Sequence, residues 1–393
     1  MLDQREIISN IDKFVYDLLD YAIYHNASDI HIEGEDKYAR IRLRIDGKLS
    51  EVLRINRNNY DKLVSKIKLL SQMDISEHRR PQDESLKLAG FENVDFRVSS
   101  IGTINGEKIV IRILSTSEYE KKTNLLGFSE SSKNILYETM KNRSGMIIFS
   151  GPTGSGKSTS LYSLLNTLDS DAYNIITIED PVEYNISGIN QINVNEKIDF
   201  TFASALRSIL RQDPDIIMLG EIRDYETAQI AIRAAITGHL VLTTLHTNNA
   251  LASIIRLKDL GIENYLLSSA IYAVASQRLV RKLCDCKIAD KMTESEYEIA
   301  KRYVDINRQT TIYRPNGCPH CNDGYKGREA CEEVFVIDDK FRDLIRNGNI
   351  DLVSLNNYAK ENNFKSMMAN GMEKVIDGTT SFEEVISVMY DQM

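Results

Sequence analysis

Eight consecutive positions in the middle of the chain, Gly151 to Ser158, have the spacing of a phosphate-binding loop. They match the pattern G-x-x-x-x-G-K-[ST], in which glycines let backbone N–H groups curl around phosphate oxygens. The helix that follows such a loop adds a favourable dipole. Lys157 is expected to reach the β and γ phosphates, and the Ser158 hydroxyl to hold Mg²⁺. The residues expected to contact a nucleoside triphosphate here are Gly151, Pro152, Thr153, Gly154, Ser155, Gly156, Lys157, Ser158 and Thr159.

The sequence on either side of the loop meets the structural requirement of this pattern. An apolar run at 145–150 predicts a buried strand before the loop, and residues 159–165 predict a helix after it. The alternative, a glycine-rich turn that matches by chance, does not require both flanks. We therefore predict an ATP-binding loop between a strand and a helix.

Acidic residues follow two further apolar runs. Hydrolysis needs a carboxylate that orients water and cations that offset charge on the γ-phosphate. Glu221 ends one run and is the candidate for that carboxylate, and a second group, Glu179, Asp180 and Glu183, follows another. Because the carboxyl ends of parallel strands lie at one edge of a sheet, both groups are expected near the loop. The alternative is that they are ordinary solvated loop acids.

Two histidines, His239 and His246, flank the apolar run at 240–245. A histidine near a γ-phosphate can hydrogen-bond it or respond to its loss, whereas a lone histidine more often makes a structural hydrogen bond. Both are candidate nucleotide contacts, and spacing alone leaves the two interpretations open.

The elements before residue 116 predict a small α+β domain with an antiparallel sheet, which we bound at 1–115. Apolar residues at helical spacing predict helices at 7–25 and near 58–73. Alternating residues predict strands at 29–33, 39–45, 94–99 and 108–114, with a polar loop at 77–83. The polar residues 116–124 are expected to form a linker.

From residue 125 to 393 the pattern changes to short apolar runs separated by helices, which is typical of an α/β fold with a parallel sheet. The predicted strands are 145–150, 173–178, 215–220 and 239–245. These two regions agree with the length of 393 residues, which suits two or three domains.

Composition narrows the classes of protein to consider. The formal net charge of -9 argues against a protein that coats nucleic acid. No apolar stretch reaches the roughly 18 residues of a membrane span, and the N-terminus lacks the pattern of a signal peptide. A membrane role would therefore come through a partner. The 5 cysteines lie in the last third of the chain, which favours metal binding over disulfides.

Four motifs in order resemble the type II/type IV secretion ATPase superfamily. Residues 151–159, 177–184, 210–224 and 237–248 are similar to its Walker A, Asp box, Walker B and His box. Flanking segments at 27–33, 45–49 and 277–284 agree with the same family, so the resemblance covers nearly the whole chain.

The resemblance implies a RecA-like P-loop ATPase domain preceded by a PAS-like α+β domain. It implies a homo-hexameric ring on the cytoplasmic side of the inner membrane that hydrolyses ATP. The ring would move a membrane platform protein and so assemble a pilus or pseudopilus, without binding nucleic acid directly. Glu183 would belong to the Asp box and Glu221 to Walker B. Arg97 and Arg112 would reach the ATP phosphates, and Arg207 and Arg211 would line the subunit interface.

The cysteines predict a structural zinc site within a module at about 283–333, followed by a C-terminal helical region. Cys318 and Cys321 form a C-x-x-C half-site, and Cys284 and Cys286 supply the other half. The family usually has C-x-x-C in both halves, and Lys287 departs from that pattern. The alternative is a reduced loop without metal. Cys331 is either a spare thiol or a substitute ligand.

The cysteine loop at 284–321 is typical of assembly and secretion ATPases, so we predict a type IV pilus assembly ATPase. We also expect a short form without the extra N-terminal module of longer assembly ATPases. Three alternatives stay open: a retraction ATPase, a nucleotide-gated scaffold with little turnover, and a nucleic-acid motor. The acidic composition weakens the last of these.

Overall fold

The computed structural model describes residues 10–115, 125, 127–348, 350–362 and 364–389. The chain forms two compact units, Met1–Lys121 and Lys122–Met393. The predicted linker at 116–124 and the first positions of the predicted helix at 7–25 lie outside the described residues. Among the described residues, no helix is long and apolar enough to cross a membrane.

Over its described residues, 10–115, the first unit is a six-stranded antiparallel sheet with two helices. The strand order is β3-β2-β1-β6-β5-β4. The helices are α1 (Ile11–Tyr24) and α2 (Arg57–Leu70). The strands are β1 (Ala27–Gly34), β2 (Tyr38–Ile45), β3 (Lys48–Asn56), β4 (Gln82–Leu86), β5 (Val94–Thr103) and β6 (Gly106–Ser115).

One face of this sheet is apolar because its strands alternate, and both helices pack on that face. α1 begins where the Asn10 side chain accepts a hydrogen bond from the Lys13 N–H at 3.0 Å. Phe14 and Leu18 of α1 join Ile30 and Ile41 of the sheet in one buried core. The four predicted strands are present, whereas β3 and β4 were not predicted. β4 is a short, mostly exposed edge strand without an apolar alternation, and it begins inside the predicted polar loop.

The second unit is an α/β fold around a seven-stranded sheet. Its helices are α3 (Glu130–Met140), α4 (Lys157–Leu165), α5 (Phe202–Ile209), α6 (Tyr225–Ile236), α7 (Ala250–Asp259), α8 (Asn264–Ala270), α9 (Glu294–Ala300), α10 (Asp339–Arg346), α11 (Leu352–Glu361), α12 (Met367–Ile376) and α13 (Phe382–Met389), with a 3₁₀ turn at Glu196–Ile198. Its strands are β7 (Gly145–Ser150), β8 (Ile175–Glu179), β9 (Asn190–Asn193), β10 (Ile216–Leu219), β11 (Leu240–Leu245), β12 (Ile271–Leu283), β13 (Ile288–Lys291), β14 (Thr311–Arg314) and β15 (Tyr325–Val336).

The large sheet has the order β15-β12-β7-β11-β10-β8-β9 and is parallel except for β15, which runs antiparallel to β12. The four apolar runs form its parallel centre, with apolar cores on both faces. The two long strands β12 and β15 were not predicted. β12 begins with the apolar run 271–275, but buried polar residues, among them Gln277, Arg278 and Arg281, interrupt the apolar pattern over the rest of the strand.

The register of the central strands places their carboxyl ends at one edge of the sheet. Ser150 of β7 lies opposite Leu245 of β11, and Leu219 of β10 lies opposite Ile178 of β8. The loops that follow these strands therefore meet at this edge.

Candidate active site

The phosphate-binding loop runs from the end of β7 to the start of α4, and its shape depends on glycine. Gly151, Gly154 and Gly156 have φ values of 141°, 78° and 90°, which residues with a side chain rarely adopt. Strand β12 also approaches the loop closely, since a Cβ on Gly151 would lie 2.5 Å from the carbonyl oxygen of Gln277. The conformation of this loop therefore favours glycine at all three positions, and the close approach of β12 adds a steric reason at Gly151.

Lys157 is the first residue of α4, and its side chain turns back over the loop. Its Nζ donates to the carbonyl oxygens of Gly151 at 2.8 Å and Pro152 at 3.1 Å. Burial lowers the pKa of Lys157, while the nearby charge of Glu221 raises it. The ammonium group is thus partly desolvated, which strengthens its attraction for an anion. Ser158 follows on the exposed side of the first turn of α4.

Glu221 follows β10 and lies in a small network of charged groups. Its Oε1 accepts from Arg223 Nη2 at 2.5 Å, and its Oε2 lies 3.0 Å from His246 Nε2. Burial raises the pKa of Glu221, but the hydrogen bond and charge of Arg223 and the charge of His246 outweigh it and leave the pKa below its usual value. The carboxyl group is therefore ionised at neutral pH and can accept a hydrogen bond from water.

Arg223 joins the two acidic groups that the sequence separates. Its Nη2 bonds Glu221 and lies 3.6 Å from Asp180 Oδ2. It was not singled out in the sequence, although it lies in the segment 210–224. The available signal was a cation two residues after an acid at the end of a buried strand.

The carboxylate of Glu179 points into the interior. The residue ends β8 and is only 4% exposed. It accepts hydrogen bonds from Thr177 Oγ1 at 2.6 Å, from Gln191 Nε2 at 3.3 Å and from the Tyr162 hydroxyl. Burial raises its pKa. These three donors hold the carboxylate in the interior, and the expected nucleotide contact of Glu179 stays a prediction.

Glu183 lies in the irregular segment that follows β8, as the sequence order requires. Its backbone N–H donates to the Tyr162 hydroxyl at 3.4 Å. This bond ties the segment to α4, the helix that begins with Lys157.

The two histidines lie at opposite ends of β11. His246 follows the carboxyl end of the strand and contacts Glu221. His239 precedes the amino end, where its Nδ1 lies 3.0 Å from the carbonyl oxygen of Ala234. The six residues of β11 separate them by about 20 Å. The structure therefore brings His246 to the candidate site and leaves His239 in a local contact at the other edge of the sheet.

The four predicted arginines lie in two different places. Arg97 and Arg112 lie opposite each other on β5 and β6 of the first unit, and Arg112 Nε bonds Asp29 Oδ1 at 3.2 Å. Arg207 lies on α5 and pairs with an exposed glutamate, while Arg211 Nη1 donates to the carbonyl oxygen of Arg207 at 2.7 Å.

Gln277 of β12 supports the loop from the side and was also missed in the sequence. It is 1% exposed, and its Nε2 donates to the carbonyl oxygen of Ser155 at 2.7 Å. Nothing in the sequence marks this contact, because it joins residues more than one hundred positions apart.

The four predicted cysteine ligands lie together. All their sulfur atoms lie within 4.8 Å of one another, and the Cys284–Cys318 and Cys286–Cys321 sulfur pairs are each 3.9 Å apart. Zinc with four thiolates at about 2.3 Å would separate the sulfurs by about 3.8 Å, so the cluster fits this ion.

Lys287, which departs from the family spacing, has a different role. Its Nζ donates to the carbonyl oxygen of Gly378 at 2.6 Å and fastens the cluster to the C-terminal helices. Cys331 is not among the four clustered cysteines and lies fully buried in the apolar core next to those helices.

Known proteins are similar to this chain over nearly its full length. Residues 4–387 match the family model described as Type II/IV secretion system protein. Type II secretion system protein E of Aeromonas hydrophila is 45% identical, over 96% of this chain and 75% of that protein. Type IV pilus assembly ATPase PilB of Acinetobacter baylyi is 43% identical, over 98% of this chain and 66% of that protein.

A solved structure of the pilus retraction motor PilT with bound ADP has a TM-score of 0.64 with this chain. It is 27% identical, over 94% of this chain and 95% of that one. The sequence match spans both units and includes the loop, the acids and the cysteines described above. The chain belongs to the type II/IV secretion system protein family.

Proposed function

We propose that this chain is a motor ATPase that hydrolyses ATP to power assembly of a type IV pilus or a type II secretion pseudopilus. One observation carries the proposal: the Lys157 loop and the ionised Glu221, with its partners Arg223 and His246, meet at one edge of the sheet. The names of the relatives from Aeromonas and Acinetobacter support the biological role.

Each residue at this edge has a defined task in hydrolysis. The loop N–H groups and Lys157 bind the phosphates. Mg²⁺, held by Ser158, would offset charge on the β and γ phosphates. Glu221 and Glu183 orient the attacking water, and an ionised Glu221 accepts its hydrogen bond. His246 and Arg223 hold the Glu221 carboxylate in place.

Further cations complete the site in this proposal. A triphosphate needs more positive charge than Lys157 and one Mg²⁺ provide. Arg97 and Arg112, on the first unit, would supply it by reaching the ATP phosphates, as the resemblance to the secretion ATPases implies. That first unit would be the PAS-like domain, and the second the RecA-like domain. Arg207 and Arg211 would lie between subunits of a homo-hexamer.

The proposed hexameric ring would act at the cytoplasmic membrane. We infer that it contacts a membrane platform protein, as the resemblance to the secretion ATPases implies. Zinc, held by Cys284, Cys286, Cys318 and Cys321, would stabilise the module that follows β12.

Assembly is favoured over retraction for two reasons. The assembly ATPase PilB is 43% identical to this chain, whereas the retraction motor PilT is 27% identical. The cysteine cluster, in addition, resembles that of assembly and secretion ATPases.

The proposal is tested by phosphate release from Mg-ATP, with Lys157→Ala and the control Lys141→Ala, an exposed lysine paired with Glu138. We expect no turnover with Lys157→Ala and wild-type turnover with Lys141→Ala. A wild-type protein that binds ATP but releases no phosphate would favour the nucleotide-gated scaffold. Deletion in the native host, scored for pili and secretion, tests the biological role. Loss of retraction alone would contradict assembly.

A further inference from the structure

Tyr162 connects the phosphate-binding helix to the acidic segment after β8. It lies on α4, five residues after Lys157, which is about 7.5 Å along the helix axis. The side chain is 1% exposed, and its hydroxyl donates to Glu179 and accepts from the backbone N–H of Glu183 at 3.4 Å. Its ring meets the Tyr184 ring edge-on, with centroids 4.5 Å apart.

The segment that carries Glu183 has no regular hydrogen bonding of its own. Residues 180–189 form neither helix nor strand. Gln191 of β9 holds the segment further along, since its Oε1 accepts from Ile186 N–H at 2.7 Å and its Nε2 donates to the Tyr184 carbonyl oxygen at 3.1 Å. Gln191 also contacts Glu179. Next to Glu183, the Val182 N–H donates to Asn193 Oδ1 at 2.6 Å. The position of Glu183 therefore depends on side-chain hydrogen bonds and not on secondary structure.

We propose that Tyr162 is a positioning residue for hydrolysis, whose hydroxyl fixes Glu183 relative to the phosphate-binding helix. The inference rests on the proposed function and deepens it. The hydroxyl accepts a hydrogen bond from the backbone N–H of Glu183 itself and so joins this residue to α4. Glu179, which keeps two other donors, serves as its anchor.

This arrangement acts on the chemical step and not on nucleotide binding. Tyr162 faces the acidic segment, while Lys157 and the loop N–H groups bind phosphate. A displacement of about 1 Å in a group that orients water can cost about a hundredfold in rate. Loss of the hydroxyl should therefore lower kcat and leave the affinity for ATP unchanged.

The test uses Tyr162→Phe in the full chain, with Tyr325→Phe as the matched control. Tyr325 lies on β15 of the second unit and is also buried. Its hydroxyl is hydrogen-bonded to Ser381 Oγ at 2.8 Å. Both variants lose one buried hydroxyl. We expect kcat to fall at least about tenfold in Tyr162→Phe only. KM and the Kd for a fluorescent ATP analogue should stay within about twofold of wild type. The Tm should fall in both variants, and further in Tyr162→Phe, because the Tyr162 hydroxyl makes two hydrogen bonds and the Tyr325 hydroxyl makes one.

Single-turnover hydrolysis in a Glu183→Gln background separates positioning from general damage. If Tyr162 acts through Glu183, adding Tyr162→Phe should cause no further loss in that background. A wild-type kcat for Tyr162→Phe would overturn the inference, as would a proportional loss of ATP affinity or the same fold loss in both backgrounds. Absence of wild-type turnover would instead reject the proposed function itself.

Discussion

Glu221→Gln is the substitution that separates ATP binding from hydrolysis most sharply. Glutamine keeps the shape of the side chain and removes its charge. Lys157 and the loop remain, so ATP should still bind. The substitution removes the ionised carboxylate, whose oxygens lie 2.5 Å from Arg223 Nη2 and 3.0 Å from His246 Nε2.

The expected size of the effect follows from these contacts. Arg223 and His246 are about half exposed, at 53% and 49%, so solvent screens the pairing. The cost in unfolding free energy is therefore below about 1 kcal/mol. The catalytic cost is larger, because a positioned acid or base contributes about 10²- to 10⁴-fold, which corresponds to about 3 to 5 kcal/mol of transition-state stabilisation.

The assay compares phosphate release and ATP-analogue binding in wild type, Glu221→Gln and the control Glu298→Gln. Glu298 is half-exposed and pairs with Lys301, so its loss removes one surface ion pair without reaching the site. We expect Glu221→Gln to bind ATP and to release phosphate at least about a hundredfold more slowly. Wild-type turnover in Glu221→Gln would refute the assignment, and equal loss in Glu298→Gln would point to general damage.

Gln277→Ala should weaken ATP binding, because it removes the hydrogen bond to Ser155 that supports the loop; unchanged affinity in a binding titration would contradict this support. Cys318→Ser, or treatment with a strong chelator, should lower the Tm and the zinc content measured by elemental analysis, and a freshly purified protein without metal would count against the zinc site. Hydrogen bonds from Arg42 and Lys108 outweigh burial and lower the pKa of Glu33 to about 2, so this residue stabilises the first unit above its ordinary pKa of 4.5. Glu33→Gln should lower the unfolding free energy of the first unit by about 3 kcal/mol at pH 7, and this difference from wild type should vanish as the pH falls from 4.5 towards 2. Hydrogen exchange of peptides from β1 and β2 measures the difference, and a difference that persists at pH 2 would refute the ion-pair origin.

The sequence was most informative where a function depends on local spacing. The loop at Gly151 to Ser158, Glu221 at the end of a buried run, and the two cysteine pairs are all short patterns. Their geometry in the structure agrees with the chemistry expected of them, although the roles themselves stay predictions.

The sequence was least informative where a role depends on which neighbour a strand acquires. Glu179 and Asp180 are adjacent, yet one is buried among hydrogen-bond donors and the other faces Arg223. His239 and His246 look alike in sequence, but strand direction alone sends them to opposite edges of the sheet. Gln277 and Tyr162 make their contacts only when β12 and β8 have taken their positions in the folded sheet. Such contacts are tertiary and leave no local signature.

Strand β12 has a practical consequence for handling the protein. Gln277, which touches the phosphate-binding loop, and Cys284, at the cysteine cluster, lie on one short stretch of chain. Loss of the proposed zinc during storage, followed by air oxidation of those thiols, would therefore disturb the strand that supports the loop. An aged sample could then lose ATPase activity in the way that a damaged nucleotide site would. Measuring the free-thiol content of each sample beside its ATPase rate would distinguish oxidation of the cysteine cluster from an effect of a substitution at the nucleotide site.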